Sequence, residues 1–155
     1  MPKTLTKIGD GAFIASAINI TKLPETLTDI GVAAFMACKN LNELTIPSKI
    51  ININAGVFEH CSNLNSITLP EGLLSIEEYA FAECQNLQTV SLDKTSQVRI
   101  LPSAFKNCKK LNWDLTEYAN MKILNFAFES CPHVIVPDTS PNAKCERPKG
   151  YEYRP

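Results

Sequence analysis

The chain has 155 residues, the length of a single domain, with 45% hydrophobic and 20% charged residues, ordinary values for a folded globular protein. Lys and Arg number 15 against 16 Asp and Glu, so a formal net charge of −1 leaves no basic face for the phosphate neutralisation on which nucleic-acid binding rests. Apolar runs are short, Ala12 to Ala15 among them, so no membrane insertion is expected, and Met1 to Lys7 lacks the apolar segment of a secretory signal.

One repeat organises the chain. Phe13, Phe35, Phe58, Phe81, Phe105 and Phe128 stand 22, 23, 23, 24 and 23 residues apart. Five residues before each lies an isoleucine (Ile8, Ile30, Ile53, Ile76, Ile100, Ile123), and three after come Cys38, Cys61, Cys84, Cys108 and Cys131, with Ser16 in the first copy. Leu41, Leu64, Leu87, Leu111 and Val134 form a further column. Such periodicity is the signature of a solenoid, in which no copy buries its own apolar side and stacking does so.

In chain order, Pro2, Leu5 and Ile8 keep the offsets of Pro47, Ile50 and Ile53. The first coil thus begins at a strand-ending proline without its strand. This predicts an uncapped start, either a fragment of a longer array or an end covered by another chain through end-to-end self-association. The second and third copies are complete. Leu41 to Pro47 and Leu64 to Pro70 alternate as short strands closed by proline, whereas the apolar spacing of Ile30 to Cys38 predicts a helical or 3₁₀ turn.

These residues resemble a known family. The pattern Leu-x-x-Ile-x-Leu-Pro-x-x-Leu-x-x-Ile-Gly-x-x-Ala-Phe-x-x-Cys is similar to the leucine-rich repeat of BspA-type proteins, over residues 2 to 137. The resemblance implies an α/β leucine-rich-repeat solenoid of about six coils, with a parallel sheet on the concave side and short helical or 3₁₀ turns on the convex side. It also implies adhesion or protein recognition at a cell surface or after secretion. The missing signal and free thiols leave a cytoplasmic protein-binding module as the alternative.

The fifth copy breaks register. By strict spacing Asp114 and Thr116 would face the core and Trp113 and Leu115 would face out. Either a bulge returns Trp113 and Leu115 inward, or they form an exposed apolar spot; the inward arrangement avoids burying an unpaired Asp. The sixth copy is short, and residues 138–155 lose the pattern, which predicts a cap or flexible tail after the solenoid of residues 1–137.

The cysteines read as structure. No two lie closer than 14 residues, unlike paired metal ligands, and five form a ladder of one per coil with parallel Cβ vectors, so buried free thiols are expected and no metal or other cofactor. Cys145, in the tail, is the expected reactive thiol. Catalytic residues are not expected. His60 and His133 each sit near a ladder cysteine in sequence, where side chains seldom converge, and Glu77-Glu78 reads as a solvated pair. Asn40, Asn63 and Asn86 read as amides satisfying backbone groups in the turn, and Asn19-Ile20-Thr21 is a lone glycosylation sequon.

The outward sheet face remains as the candidate site. Alternation places Glu43, Thr45, Ser66, Thr68, Thr89 and Ser91 on it, with Trp113 as an anchor if exposed. The expected function is non-enzymatic recognition of a protein, or of a glycan, through this face. The alternative is a structural spacer within a longer surface array.

Overall fold

A computed structural model describes residues 1–137; the expectations for the 138–155 tail and for Cys145 lie outside the described residues. The elements are eleven short strands: β1 (Lys7–Ile8), β2 (Asp29–Ile30), β3 (Glu43–Thr45), β4 (Asn52–Ile53), β5 (Ser66–Thr68), β6 (Ser75–Ile76), β7 (Thr89–Ser91), β8 (Arg99–Ile100), β9 (Trp113–Asp114), β10 (Lys122–Ile123) and β11 (Val134–Ile135). All pairings are parallel between successive coils, giving a β-solenoid of about six turns. One side of each coil carries the isoleucine strands, β1-β2 and β4-β6-β8-β10. Between β2 and β4 the Asn54 amide donates to the Ile30 carbonyl at 2.7 Å. A second side carries β3-β5-β7 and, separately, β9-β11.

The third side corrects the expected helical turns. No helix occurs among the described residues, so the solenoid is built of strands and turns rather than being α/β. Among the described residues every positive-φ residue lies either two before or two after a ladder phenylalanine, as with Ala33 and Ala37 around Phe35, or Tyr79 and Glu83 around Phe81. Left-handed residues at this spacing stop a helix and close successive β-turns, such as Ala34 N–H to Gly31 O (3.2 Å) and Cys38 N–H to Phe35 O (3.2 Å). The amides between them point along the solenoid. Phe35 N–H donates to Val57 O and Ala37 N–H to Glu59 O, and Phe58 N–H and His60 N–H repeat this onto Ala80 O and Ala82 O. Each left-handed L-residue costs roughly 1–2 kcal/mol, offset here by cross-coil bonds that a helical turn would not make.

The core follows the columns read from the sequence. Phe35, Phe58, Phe81, Phe105 and Phe128 are fully buried and Phe13 is half-buried. Their rings stack with centroids 5.0 to 5.7 Å apart. Five cysteines, Cys38, Cys61, Cys84, Cys108 and Cys131, are free and buried. Each thiol donates to the phenylalanine carbonyl of the preceding coil, from Cys38 to Phe13 O at 2.9 Å through Cys131 to Phe105 O at 2.9 Å. The same carbonyls already accept the turn bond of their own coil, so the thiol fills a second lone pair. Burial pushes the Cys61 thiol up to about 12, and those of Cys84 and Cys108 well above the ordinary range.

The register break lies in the fifth coil. Leu111 is followed two residues later by Trp113, whereas Leu41 is followed three residues later by Leu44; the missing residue turns Trp113 and Leu115 inward and leaves Asp114 and Thr116 exposed. Trp113 packs edge-on to Phe105, Phe128 and Tyr118, its Nε1–H reaches the Tyr118 hydroxyl at 3.3 Å, and that hydroxyl donates to Leu92 O. Asp114 instead accepts from the Thr116 backbone and hydroxyl, which hold its carboxyl below the usual range.

Candidate functional site

Strand register assembles the candidate face. Glu43, Ser66 and Thr89 align across β3, β5 and β7, as do Thr45, Thr68 and Ser91, with Leu44, Ile67 and Val90 buried beneath. A parallel bridge from Lys22 to Thr45 extends the rows to the preceding coil. Ser66 is half-buried and the other five are exposed. None of the six side chains has a hydrogen-bond partner among the described residues, so their donors and acceptors face solvent.

Trp113, the seventh residue expected here, does not join them. It is 5% exposed and belongs to the core, because the one-residue deletion after Leu111 inverts the strand's faces. The second sheet side is also interrupted there. β9 pairs with β11 and not with β7, with Asn112 N–H to Gln88 O (3.1 Å) crossing the break.

A groove of about 420 Å³ borders the strand rows, a feature sequence reading missed. A row of Asn42, Asn65 and Gln88, each just before a strand, and a second row of Asn63, Asn86 and Lys110 line it together with Glu43 and Ser66 of the strand rows. The second row is fixed by the scaffold. Asn63 Nδ2 donates to Lys39 O at 2.8 Å, Asn86 Nδ2 to Ser62 O at 2.7 Å, and Lys110 Nζ to Asn86 Oδ1 at 2.7 Å. Asn40 makes the same bond to Ala17 O, so these amides satisfy the backbone of the preceding coil rather than their own turn. The signal was in the sequence, as an amide seven residues after Phe35, Phe58 and Phe81.

Elsewhere, His60 is exposed, with Nε2 3.8 Å from Glu59 Oε1, and Glu77 accepts from the Ser75 hydroxyl. Burial, with Glu83 nearby, holds the Glu59 carboxyl above the ordinary range against the pull of His60. Among the described residues no three His, Cys, Asp or Glu side chains cluster as metal ligands, and no helix is long and apolar enough to cross a membrane.

Known proteins place these features in context. The model of the BspA type leucine-rich repeat region matches residues 1–112 in six copies, ending one residue before the inverted strand at Trp113. The chain is similar in structure to a leucine-rich repeat protein from Eubacterium ventriosum (24% identity, TM-score 0.73, 98% of this chain and 38% of that one). It is also similar to a leucine-rich cell surface protein from Faecalibacterium prausnitzii (32% identity, TM-score 0.65, 79% and 31%). A third likeness is to a leucine-rich repeat protein from Bacteroides ovatus (24% identity, TM-score 0.52, 88% and 48%). The chain thus spans less than half the length of each solved protein. No curated protein matches it.

Proposed function

The chain belongs to the BspA-type leucine-rich repeat family, and from that premise we propose that it is a non-enzymatic recognition module that binds a protein across the outward face of β3, β5 and β7. Repeat proteins of this class are generally interaction modules, and the observation that carries the reading is the pair of aligned rows described above. Glu43, Ser66, Thr89 and Thr45, Thr68, Ser91 present unengaged hydroxyl and carboxylate groups from a backbone locked by cross-coil pairing. A rigid face lowers the ordering cost of binding. Short side chains leave room for a partner's own anchors to approach the sheet.

Adhesion at a cell surface is the setting we favour, supported by the description of the Faecalibacterium prausnitzii relative as a cell surface protein. The five buried free thiols suit a reducing cytoplasm equally well. A spacer role within a longer array is the second reading, favoured by the 31% to 48% of each solved relative that the chain covers. The experiment is to capture partners with the folded chain and with Thr68→Arg, which places a long cation at the centre of the face. A recognition module loses its partner in that variant and keeps it when the exposed Glu78 on the turn side is changed to Lys. Equal capture by all three forms would favour the spacer.

A further inference from the structure

We propose that the amide-lined groove along the edge of the sheet face is a binding site for a neutral, extended oligosaccharide, a second ligand class at a place that shares only Glu43 and Ser66 with the protein-binding rows. Its chemistry is that of a hydroxyl-rich ligand. Asn65 and Gln88 are exposed and their side chains have no hydrogen-bond partner among the described residues. Each amide offers two donors and an acceptor, so each matches a hydroxyl that both gives and receives a hydrogen bond. In the second row, Asn63 and Asn86 have their nitrogens committed to Lys39 O and Ser62 O, which fixes the direction of their carbonyl oxygens. Asn63 and Asn86 are therefore set in advance, Asn42 is held by its Nδ2 bond to Asn40 O at 3.3 Å, and Asn65 and Gln88 are free to adjust, an arrangement that reduces the cost of ordering on binding.

Charge and spacing narrow the ligand further. Among the described residues the charged groups that line the groove are Glu43 and Lys110, which cancel, and Lys110 is already engaged with Asn86 Oδ1 at 2.7 Å. An anionic chain meets no free cationic array here, and a peptide meets no aromatic or aliphatic wall for its side-chain anchors. Parallel coils repeat the amides at the strand spacing of ~4.8 Å, close to the length that one pyranose unit adds to an extended β-1,4-linked chain. Asn42, Asn65 and Gln88 thus meet successive sugar units along the solenoid axis.

The test uses the full ¹⁵N-labelled chain titrated with cellohexaose, maltohexaose and an acidic oligogalacturonate, following the side-chain amide signals. Cellohexaose at millimolar concentration is expected to move the Asn65 and Gln88 signals. The double variant Asn65→Ala, Gln88→Ala, which removes only unengaged exposed groups, is expected to bind it at least tenfold more weakly. Thr68 does not line the groove, so Thr68→Arg keeps these shifts whatever it does to protein capture, and the two readings fail separately. No shift with either neutral hexasaccharide, equal affinity in the double variant, or a response to the oligogalacturonate alone would each overturn the proposal.

Discussion

Raising the pH tests the thiol ladder, because ionising a buried thiol requires the coil around it to open. Burial lifts the Cys61 thiol from 9.0 to about 12, and those of Cys84 and Cys108 move the same way. The folded pKa is raised, so the unfolded chain releases these protons first. Stability is intact below about pH 9 and is lost progressively from pH 9 toward 12. By one pH unit above the unfolded value the Cys61 thiol alone has cost about 1 kcal/mol, and Cys84 and Cys108 act in the same direction. The urea midpoint, read from the fluorescence of Trp113 under reducing conditions, should therefore fall steeply between pH 9 and 10. Trp113 is the chain's single tryptophan and is buried, so its emission reports unfolding. Cys61→Ser isolates the thiol contribution: it should make this fall with pH shallower. An unchanged slope in the variant would refute the ladder as the cause.

Two substitutions probe the packing between coils. A Cβ added at Gly31 would lie 2.4 Å from the Asp10 nitrogen and 2.6 Å from the Gly9 carbonyl carbon, backbone atoms that cannot swing aside. Gly31→Ala is therefore expected to cost about 2–3 kcal/mol and to speed amide exchange in the first coil while leaving the fifth unchanged. Ser96 takes the place of Ile50 and Leu73 in its column, and its buried hydroxyl has no partner among the described residues. Ser96→Ala should raise stability by about 1 kcal/mol in thermal or urea unfolding; a loss would mean that the hydroxyl is satisfied.

The core was legible because its columns are side-chain patterns: Phe, Ile, Cys and Leu recur at fixed offsets and all point inward. The turn side was not, because its defining feature is backbone φ. Of the residues that take the left-handed conformation, only Gly11, Gly56, His60 and Asn107 are of types that favour it, whereas Ala33, Glu83 and Phe126 are not. The Ala-rich stretch before Phe35 therefore read as a helical turn. What overrides that reading is the neighbouring coil, which receives the Phe35 and Ala37 amides. The cysteines were read correctly as buried, but their bond to the preceding phenylalanine carbonyl needs the stacked geometry to be seen. Trp113 shows the reverse case. A buried, unpartnered Asp114 is costly enough that sequence spacing had to yield, and the structure turns Trp113 inward. The strand rows followed from alternation alone. The groove did not, because exposed amides carry no periodic apolar signal and were read only as supports for the turn.

Recognition by this chain is assigned to the outward face of β3, β5 and β7. It is tested most directly by methyl-resolved NMR of the chain with its captured partner, observing Thr45, Thr68 and Thr89. These three methyl signals should shift or broaden together while those of Val32 and Ile14 on the turn side stay in place. Movement confined to Val32 and Ile14, or to the exposed pair Ile51 and Leu74, with the threonines unmoved, would contradict it.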